Sequence, residues 1–185
     1  MTDRTPPPVV VDASAALALE LGEPAAPSVQ RWIAGHRARA GRLLVPDLFW
    51  FEVVNVLNRR HGADADVIVA TLQGLDDLGF ESFRLERPLL LLGLDAQVRF
   101  GLSAYDAAYL ALAESEDARL LTLDERLRRA AGERAVPLDG RTSHRLAEEP
   151  ASYGGEPVDW TRFGPYLAHL RAQAKSLPTR AAARR

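Results

Sequence analysis

Four acidic residues occupy positions in the sequence from which their carboxylates could act together. They are Asp12, Glu52, Asp106 and Asp124. Asp12 comes directly after the β-branched run 9–11, and Asp124 comes directly after the apolar run 120–123, and both runs are typical of short buried strands. Ligands of open α/β sheets gather outside the carboxyl ends of the strands. These two acids are therefore predicted to lie where the chemistry of such a fold takes place.

Glu52 and Asp106 belong to predicted helices. The segment from Leu48 to Leu57 is apolar nearly all round the helix, so Glu52 sits on a buried element. A desolvated, unpaired carboxylate costs at least several kcal/mol, so Glu52 must meet a cation, a hydrogen-bond donor or a wet cleft. Asp106 shares its helix face with Tyr109 and other apolar residues, which indicates a helix that packs inward. We expect both acids to face the end of the sheet.

Carboxylates that converge on one cleft raise one another's pKa, and a cation that neutralises them makes such a cluster tolerable. Oxygen ligands without histidine or cysteine select Mg²⁺ or Mn²⁺ and disfavour zinc. The chain contains no cysteine, and its four histidines are scattered without ligand spacing. A cation of this kind lowers the pKa of a bound water and stabilises a leaving oxygen, which suits hydrolysis of a phosphodiester.

Each acid also has a purely structural interpretation, and the sequence alone leaves these alternatives open. Asp12 and Asp124 could accept hydrogen bonds as helix N-caps. Glu52 could form an ion pair with an arginine. Asp106 is the last residue of Ser103-Ala104-Tyr105-Asp106, which has the outline of a capping box.

The elements that must position these acids alternate between strands and helices. Right-handed crossovers between such strands predict the α/β class, as a three-layer α/β/α sandwich with a mostly parallel central sheet. The predicted strands are 9–11, 42–45, 80–85, 120–123 and 134–138. The predicted helices are 15–21, 28–39, 47–60, 65–78, 88–100, 103–116 and 125–131.

Several other α/β proteins are excluded by motifs that the chain lacks. It has no Gly-x-x-x-x-Gly-Lys phosphate loop and no glycine-rich dinucleotide loop after Val11. It also lacks the Gly-x-Ser-x-Gly elbow of serine hydrolases. A phosphate-receiver domain needs a late core lysine, whereas the single lysine, Lys175, lies beyond the predicted core.

Composition divides the 185-residue chain into three predicted parts. Residues 1–8 form a disordered leader, residues 9–139 the α/β domain, and residues 140–185 an extension that is partly helical with a disordered end. Up to Pro150 the chain has 17 basic and 23 acidic residues, and beyond it 6 and 2, so the acidic surplus belongs to the core. The absence of cysteine and of a long apolar run predicts a cytoplasmic protein without a membrane segment.

Read in order, four segments resemble the PIN-domain family and, within it, the VapC-type toxins of toxin-antitoxin pairs. The resemblance extends from about Val9 to Leu138. The segments are Val10-Val11-Asp12-Ala13-Ser14, then Val45-Pro46 with Glu52-Val53-Val54-Asn55-Val56-Leu57, then Leu102-Ser103-Ala104-Tyr105-Asp106-Ala107-Ala108-Tyr109-Leu110-Ala111, and finally Leu120-Leu121-Thr122-Leu123-Asp124-Glu125-Arg126-Leu127.

The resemblance implies an α/β/α sandwich that cleaves RNA with Mg²⁺ or Mn²⁺. Ser14 and Thr122 resemble the family's polar residues that support the water and the metal, and Asn55 matches a polar position beside the glutamate. The resemblance also implies a homodimer and a cognate antitoxin whose arm blocks the acidic cleft. By motif position, the residues similar to the family's catalytic and metal-binding acids are Asp12, Glu52, Asp106 and Asp124.

Two features of the chain bear on these expectations. The segment after Gly140 exceeds the compact toxin pattern and carries no motif that we can place. The alternative to a nuclease is a catalytically silent module with the same fold that binds RNA or protein. Cleavage that a chelator stops would indicate the enzyme, whereas salt-dependent RNA binding that survives chelation would indicate the module.

Overall fold

The structure of the protein, a computed structural model, describes residues 5–138. This part of the chain contains four strands, seven α-helices and one short 3-10 helix. The strands are β1 (Val9–Val11), β2 (Leu43–Pro46), β3 (Glu81–Phe83) and β4 (Arg119–Leu121). The α-helices are α1 (Ala13–Glu20), α2 (Ala26–Arg37), α3 (Leu48–His61), α4 (Ala65–Asp77), α5 (Arg87–Phe100), α6 (Ala104–Ser115) and α7 (Glu125–Ala131), and the 3-10 helix is Gly132–Arg134.

The four strands form one parallel sheet in the order β3-β2-β1-β4. All residues of β1 and β2 are buried, which suits their continuous apolar sequences because a parallel sheet is covered on both faces. Val10 pairs with Leu44 on one side and with Leu120 on the other. The chain moves outward from β1 to β3 and then returns to place β4 on the opposite side of β1, so the strand order reverses between β1 and β4.

This reversal also separates the helices into two layers. The crossovers through α1–α2 and α3–α4 run in one direction along the sheet, and the crossover through α5–α6 runs back, so right-handed connections place the two groups on opposite faces. Helix α6 packs against β1, β2 and β4, with α5 and α7 beside it, while α1 contacts α2, α3 and α4. The predicted α/β/α sandwich with a parallel central sheet is confirmed.

Small residues allow α6 to approach the sheet and its neighbour closely. Ala107 and Ala111 are completely buried, and Gly93 of α5 lies against the Ala107 backbone. Gly101 ends α5 in the left-handed conformation, with φ of 64°, and Ser103 then caps α6. This short turn sets the position of Asp106 in the first turn of α6.

The strand predicted at 134–138 is wrong in extent. Only Ala135 forms a parallel bridge, to Leu120, and Gly132–Arg134 is a 3-10 helix. Pro137 follows two residues later and has no N–H to continue the ladder, which explains why the pairing stops.

The two histidines among the described residues occupy a packing position and a surface position. His36 is buried, stacks on Trp32 with ring centroids 5.0 Å apart and contacts the Arg42 carbonyl through Nε2 at 3.2 Å. His61 is exposed. None of the helices in residues 5–138 has the length and apolar character needed to cross a bilayer. Residues 1–4 of the predicted leader and all of the predicted extension, 140–185, lie outside the described residues.

Candidate active site

Asp12 stands at the N-cap position of α1, but its carboxylate does not cap the helix. Oδ2 instead accepts hydrogen bonds from the hydroxyls of Ser14, through a short contact, and of Thr122, at 2.7 Å. The Asp12 N–H donates to the Leu121 carbonyl at 2.9 Å, which extends the β1–β4 ladder by one residue and brings Asp12 beside Thr122. The capping alternative for Asp12 is therefore wrong.

The hydroxyls of Ser14 and Thr122 are oriented by backbone donors. Ser14 Oγ accepts from the Leu123 N–H, and Thr122 Oγ1 accepts from the Asp124 N–H, both at 3.0 Å. Each hydroxyl has one hydrogen to give, and backbone donors occupy its acceptor side, so both hydrogens are directed at Asp12. These contacts hold Oδ2 in place, and among the described residues Oδ1 has no hydrogen-bond partner.

The environment of Asp12 raises its pKa from 3.8 to about 6. Burial is the largest cause, since only 3% of the residue is exposed. The two hydroxyls oppose this effect, but the negative charges of Asp106 and Asp124 add to it. The electrostatic influence of these two acids shows that the fold brings three of the four predicted carboxylates into one region.

Asp124 and Asp106 both lie at helix starts, and their capping interactions differ. Asp124 caps α7, because its Oδ1 accepts from the Leu127 N–H at 2.7 Å. The structural interpretation of Asp124 is thus correct for one oxygen, and the other has no hydrogen-bond partner among the described residues. Asp106 is half-buried, and its N–H donates to Ser103 Oγ at 3.0 Å, so Ser103 is the cap and Asp106 keeps its carboxylate at the inner start of α6.

Glu52 joins this region through Tyr109, a residue that the sequence analysis placed on an inward face without assigning it to the site. The Tyr109 hydroxyl donates to Glu52 Oε2 at 2.6 Å. It also makes a backbone hydrogen bond with Ala13, next to Asp12. Burial, followed by the charges of Glu52 and Asp12, raises the pKa of Tyr109 well above its usual value, so Tyr109 remains a hydroxyl donor. Tyr109 lies three residues after Asp106 and therefore on the same face of the helix, and this spacing was the signal in the sequence that it could belong to the site.

Asn55 does not join the other predicted site residues. It lies on the exposed side of α3, and its side chain makes no hydrogen bond within residues 5–138. The predicted role of Asn55, which was to orient Glu52, is not supported by any hydrogen bond of its side chain in this structure.

The donor set suits a hard divalent cation. It offers carboxylate oxygens, and the chain contains no cysteine. Within residues 5–138, however, no three such side chains are close enough together to form a ready-made ligand group.

The family model described as "PIN domain" matches residues 9–133 of the chain. The protein therefore belongs to the PIN-domain family, a family of nucleases. The curated proteins provide no match to this chain.

Three solved structures are similar to this chain. PAE2754 from Pyrobaculum aerophilum is 29% identical, and the match covers 69% of this chain and 81% of that one, with a TM-score of 0.50. VapC20 from Mycobacterium tuberculosis, described as a sarcin-ricin loop cleaving toxin, is 19% identical over 70% of this chain and 99% of that one, with a TM-score of 0.57. A toxin-antitoxin complex from Klebsiella pneumoniae is 16% identical over 70% and 96%, with a TM-score of 0.51. At these identities the last two structures show a shared fold.

Proposed function

We propose that this protein is an Mg²⁺- or Mn²⁺-dependent endoribonuclease and the toxin of a toxin-antitoxin pair. The acids proposed to hold the cation are Asp12, Glu52, Asp106 and Asp124. The observation that carries the proposal is the environment of Asp12, a buried carboxylate with hydroxyl donors on one oxygen and two other acids nearby. Such a group is stabilised by an external cation more than by any neighbour in the described chain.

In this mechanism a bound divalent cation would lower the pKa of an attacking water and neutralise charge on the scissile phosphate. Ser14 and Thr122 orient Asp12 so that Oδ1 faces the ligand. Tyr109 holds Glu52 in place by donating to Oε2. A hydroxyl donor favours the ionised form of a carboxylate and fixes its position before substrate arrives.

The toxin role, the partners and the domain limits extend this proposal. The similarity of fold to VapC20 and to a toxin-antitoxin complex supports a cognate antitoxin protein and RNA as the substrate. We include in the proposal a homodimer, a cytoplasmic location, a nuclease domain at 9–139 and an accessory segment at 140–185.

The proposal is tested by incubating the purified full chain, freed of bound partners, with a labelled pool of structured and unstructured RNAs. We expect cleavage with Mg²⁺ or Mn²⁺, no cleavage with EDTA, and a loss of at least about 10³-fold for Asp12→Asn. Leu90→Ala, at an exposed position on α5, is the control and should cleave like wild type. Equal inactivity of wild type and Asp12→Asn on all RNAs would refute the enzyme and favour the binding module.

The toxin role requires a separate measurement. Induced expression of the wild-type chain in a bacterial host should arrest growth, and Asp12→Asn expressed to the same level should not. Cleavage in vitro without growth arrest would support the nuclease activity and contradict the toxin role.

A further inference from the structure

The hydroxyl of Tyr109 connects the two helix layers at the edge of the sheet that carries the acids. Tyr109 belongs to α6 and is completely buried, and it donates to Glu52 Oε2 of α3, in the opposite layer, at 2.6 Å. The same hydroxyl makes a hydrogen bond with the backbone of Ala13, the first residue of α1 and the residue after Asp12. One oxygen of α6 thus contacts both α1 and α3.

This hydroxyl acts both as a donor and as an acceptor. A phenol has a single hydrogen, and that of Tyr109 is directed at Glu52, so the Ala13 N–H is the donor to the phenol oxygen. An N–H in the first turn of a helix has no partner within the helix. The carboxylate of Asp12 accepts from none of these N–H groups, because it is oriented toward two hydroxyls. Tyr109 therefore satisfies a donor of α1 while Asp12 stays available for another ligand.

A tyrosine that served only packing would need no contact with the acids. Any buried phenol needs a hydrogen-bond partner, and one backbone carbonyl would be sufficient. Tyr109 instead donates to a proposed cation ligand, Glu52, and accepts from the residue that follows a second one, Asp12. A third, Asp106, lies three residues earlier on the same face of α6. The hydroxyl therefore lies close to proposed ligands from both helix layers.

Water cannot replace this hydroxyl. Tyr109 is among the largest side chains of the described chain that are fully withdrawn from solvent. Removing one oxygen from a close-packed interior leaves too little space for a water molecule with its own hydrogen-bond partners. Without the hydroxyl, Glu52 Oε2 loses this donor and the Ala13 N–H loses its acceptor, so Glu52 is no longer held against the start of α1.

We propose that Tyr109 is a positioning residue of the cation site. Its hydroxyl fixes Glu52 relative to the start of α1, and thereby relative to Asp12, so that carboxylates from both sides of the sheet edge bind one cation together. The inference rests on the proposed function for the existence of that cation site, and it adds a residue that the pattern of acids does not include. Hydrogen bonds that orient a metal ligand typically change metal affinity by about 10- to 100-fold.

The test measures cation binding in the absence of RNA. MnCl₂ is titrated into the full chain, and free Mn²⁺ is followed by its electron paramagnetic resonance signal. Tyr109→Phe keeps the buried ring and removes only the hydroxyl, and it should weaken Mn²⁺ binding by about tenfold. Tyr105→Phe, which removes the hydroxyl of an exposed tyrosine on the same helix, is the matched control and should change the affinity by less than about twofold. Circular dichroism shows that each variant is folded under these conditions.

A double-mutant cycle with Glu52→Gln separates positioning from a general loosening of the fold. If Tyr109 acts through the Glu52 carboxylate, Tyr109→Phe should change the Mn²⁺ affinity by less than about twofold once that carboxylate has been replaced. A merely structural role predicts the same loss in both backgrounds. Cleavage gives a second readout, because Tyr109→Phe should need about tenfold more Mn²⁺ for half-maximal cleavage and should approach the wild-type rate at saturating Mn²⁺.

The outcomes distinguish this inference from the proposed function. If wild type binds Mn²⁺ and cleaves RNA, and Tyr109→Phe binds Mn²⁺ equally well, the inference is overturned and the nuclease stands. Equal losses of affinity with and without Glu52→Gln also overturn it, because the effect then does not depend on the carboxylate. If Tyr109→Phe weakens Mn²⁺ binding only when Glu52 is intact, while wild type cleaves none of the RNAs, the inference stands and the nuclease is refuted.

Discussion

Two carboxylates in this protein are buried to nearly the same extent, but one lies beside an arginine and the other lies near other acids. Asp12, at the end of β1, is 3% exposed, and Asp95, in α5, is 4% exposed. Asp95 pairs with Arg99 at 2.8 Å, and the same guanidinium reaches Glu114 of α6 at 2.9 Å. These contacts fasten α5 to α6 and neutralise Asp95 within the fold.

Asp12 has no cation near it in the described chain. Burial and, to a smaller extent, the charges of Asp106 and Asp124 raise its pKa to about 6, against the opposing effect of the two hydroxyls on one oxygen. The comparison shows that burial of an acid does not by itself indicate function. A buried acid with its own arginine stabilises the fold, whereas a buried acid oriented by hydroxyls among other acids is suited to an external cation.

The largest expected difference between the two acids lies in the pH dependence of stability without metal. The pKa of folded Asp12 is raised from 3.8 to about 6, so the folded state holds its proton more tightly than the unfolded chain. Stability from this group is present below pH 4 and is lost as the pH rises through about 6. One pKa unit corresponds to about 1.4 kcal/mol, so the loss approaches about 3 kcal/mol.

This loss is measured by urea unfolding of the metal-free protein from pH 4 to pH 7.5. Asp12→Asn should match wild type at pH 4 and be more stable at pH 7.5. Asp95→Asn, which removes one of the two acids that pair with Arg99, should be less stable than wild type at pH 7.5. Parallel pH profiles for wild type and Asp12→Asn would contradict the electrostatic account of the site.

The next effect concerns the structural pair. Arg99→Gln removes the Arg99 cation from the buried carboxylate of Asp95 and should lower the free energy of unfolding by about 2 kcal/mol, less than for a fully buried pair because one third of the Arg99 side chain is exposed. Arg128→Gln breaks the exposed pair with Glu125 and should change stability by under about 0.5 kcal/mol. Cleavage by both variants should match wild type at 25 °C. A loss of activity in Arg99→Gln would show that the Asp95–Arg99 pair contributes to function as well as to stability.

A smaller effect is expected from the hydroxyls that orient Asp12. Thr122→Val removes the donor to Oδ2 while keeping the shape of the side chain, and should weaken Mg²⁺ binding by about tenfold. Isothermal titration of the full chain with MgCl₂ measures this change, and Thr122→Ser, which retains the hydroxyl, is the control. Equal Mg²⁺ affinities for wild type, Thr122→Val and Thr122→Ser would show that the Thr122 hydroxyl does not position Asp12 for the cation.

The smallest effect is stabilisation by the cation itself. At a Mg²⁺ concentration three times its Kd, wild type should gain about 0.8 kcal/mol of stability at pH 7.5, because the proposed site would bind the cation only in the folded chain. Thermal unfolding with and without MgCl₂ measures the gain. It should vanish in Asp12→Asn and persist in Arg99→Gln, and a gain of equal size in Asp12→Asn would place the cation elsewhere.

The sequence by itself determined the fold class and the positions of the acids along the chain. The apolar runs before Asp12 and Asp124 were sufficient to predict two buried parallel strands, since few other elements suit short β-branched or leucine-rich segments. The helix pattern placed Asp106 on an inward face, and its position in the first turn of α6 follows from the local Ser103 cap. These features depend on neighbours in sequence, which is why they could be predicted.

Only the tertiary structure decided which of these residues meet. Thr122 and Asp12 are 110 residues apart in sequence and touch because β4 pairs with β1. Glu52 and Tyr109 are 57 residues apart and touch although they belong to different helices, α3 and α6. The same long-range packing left Asn55 exposed on α3 and gave Asp95, but not Asp12, an arginine. Hydrogen-bond partners and burial are set by strand order and helix packing, and local sequence patterns carry little information about either.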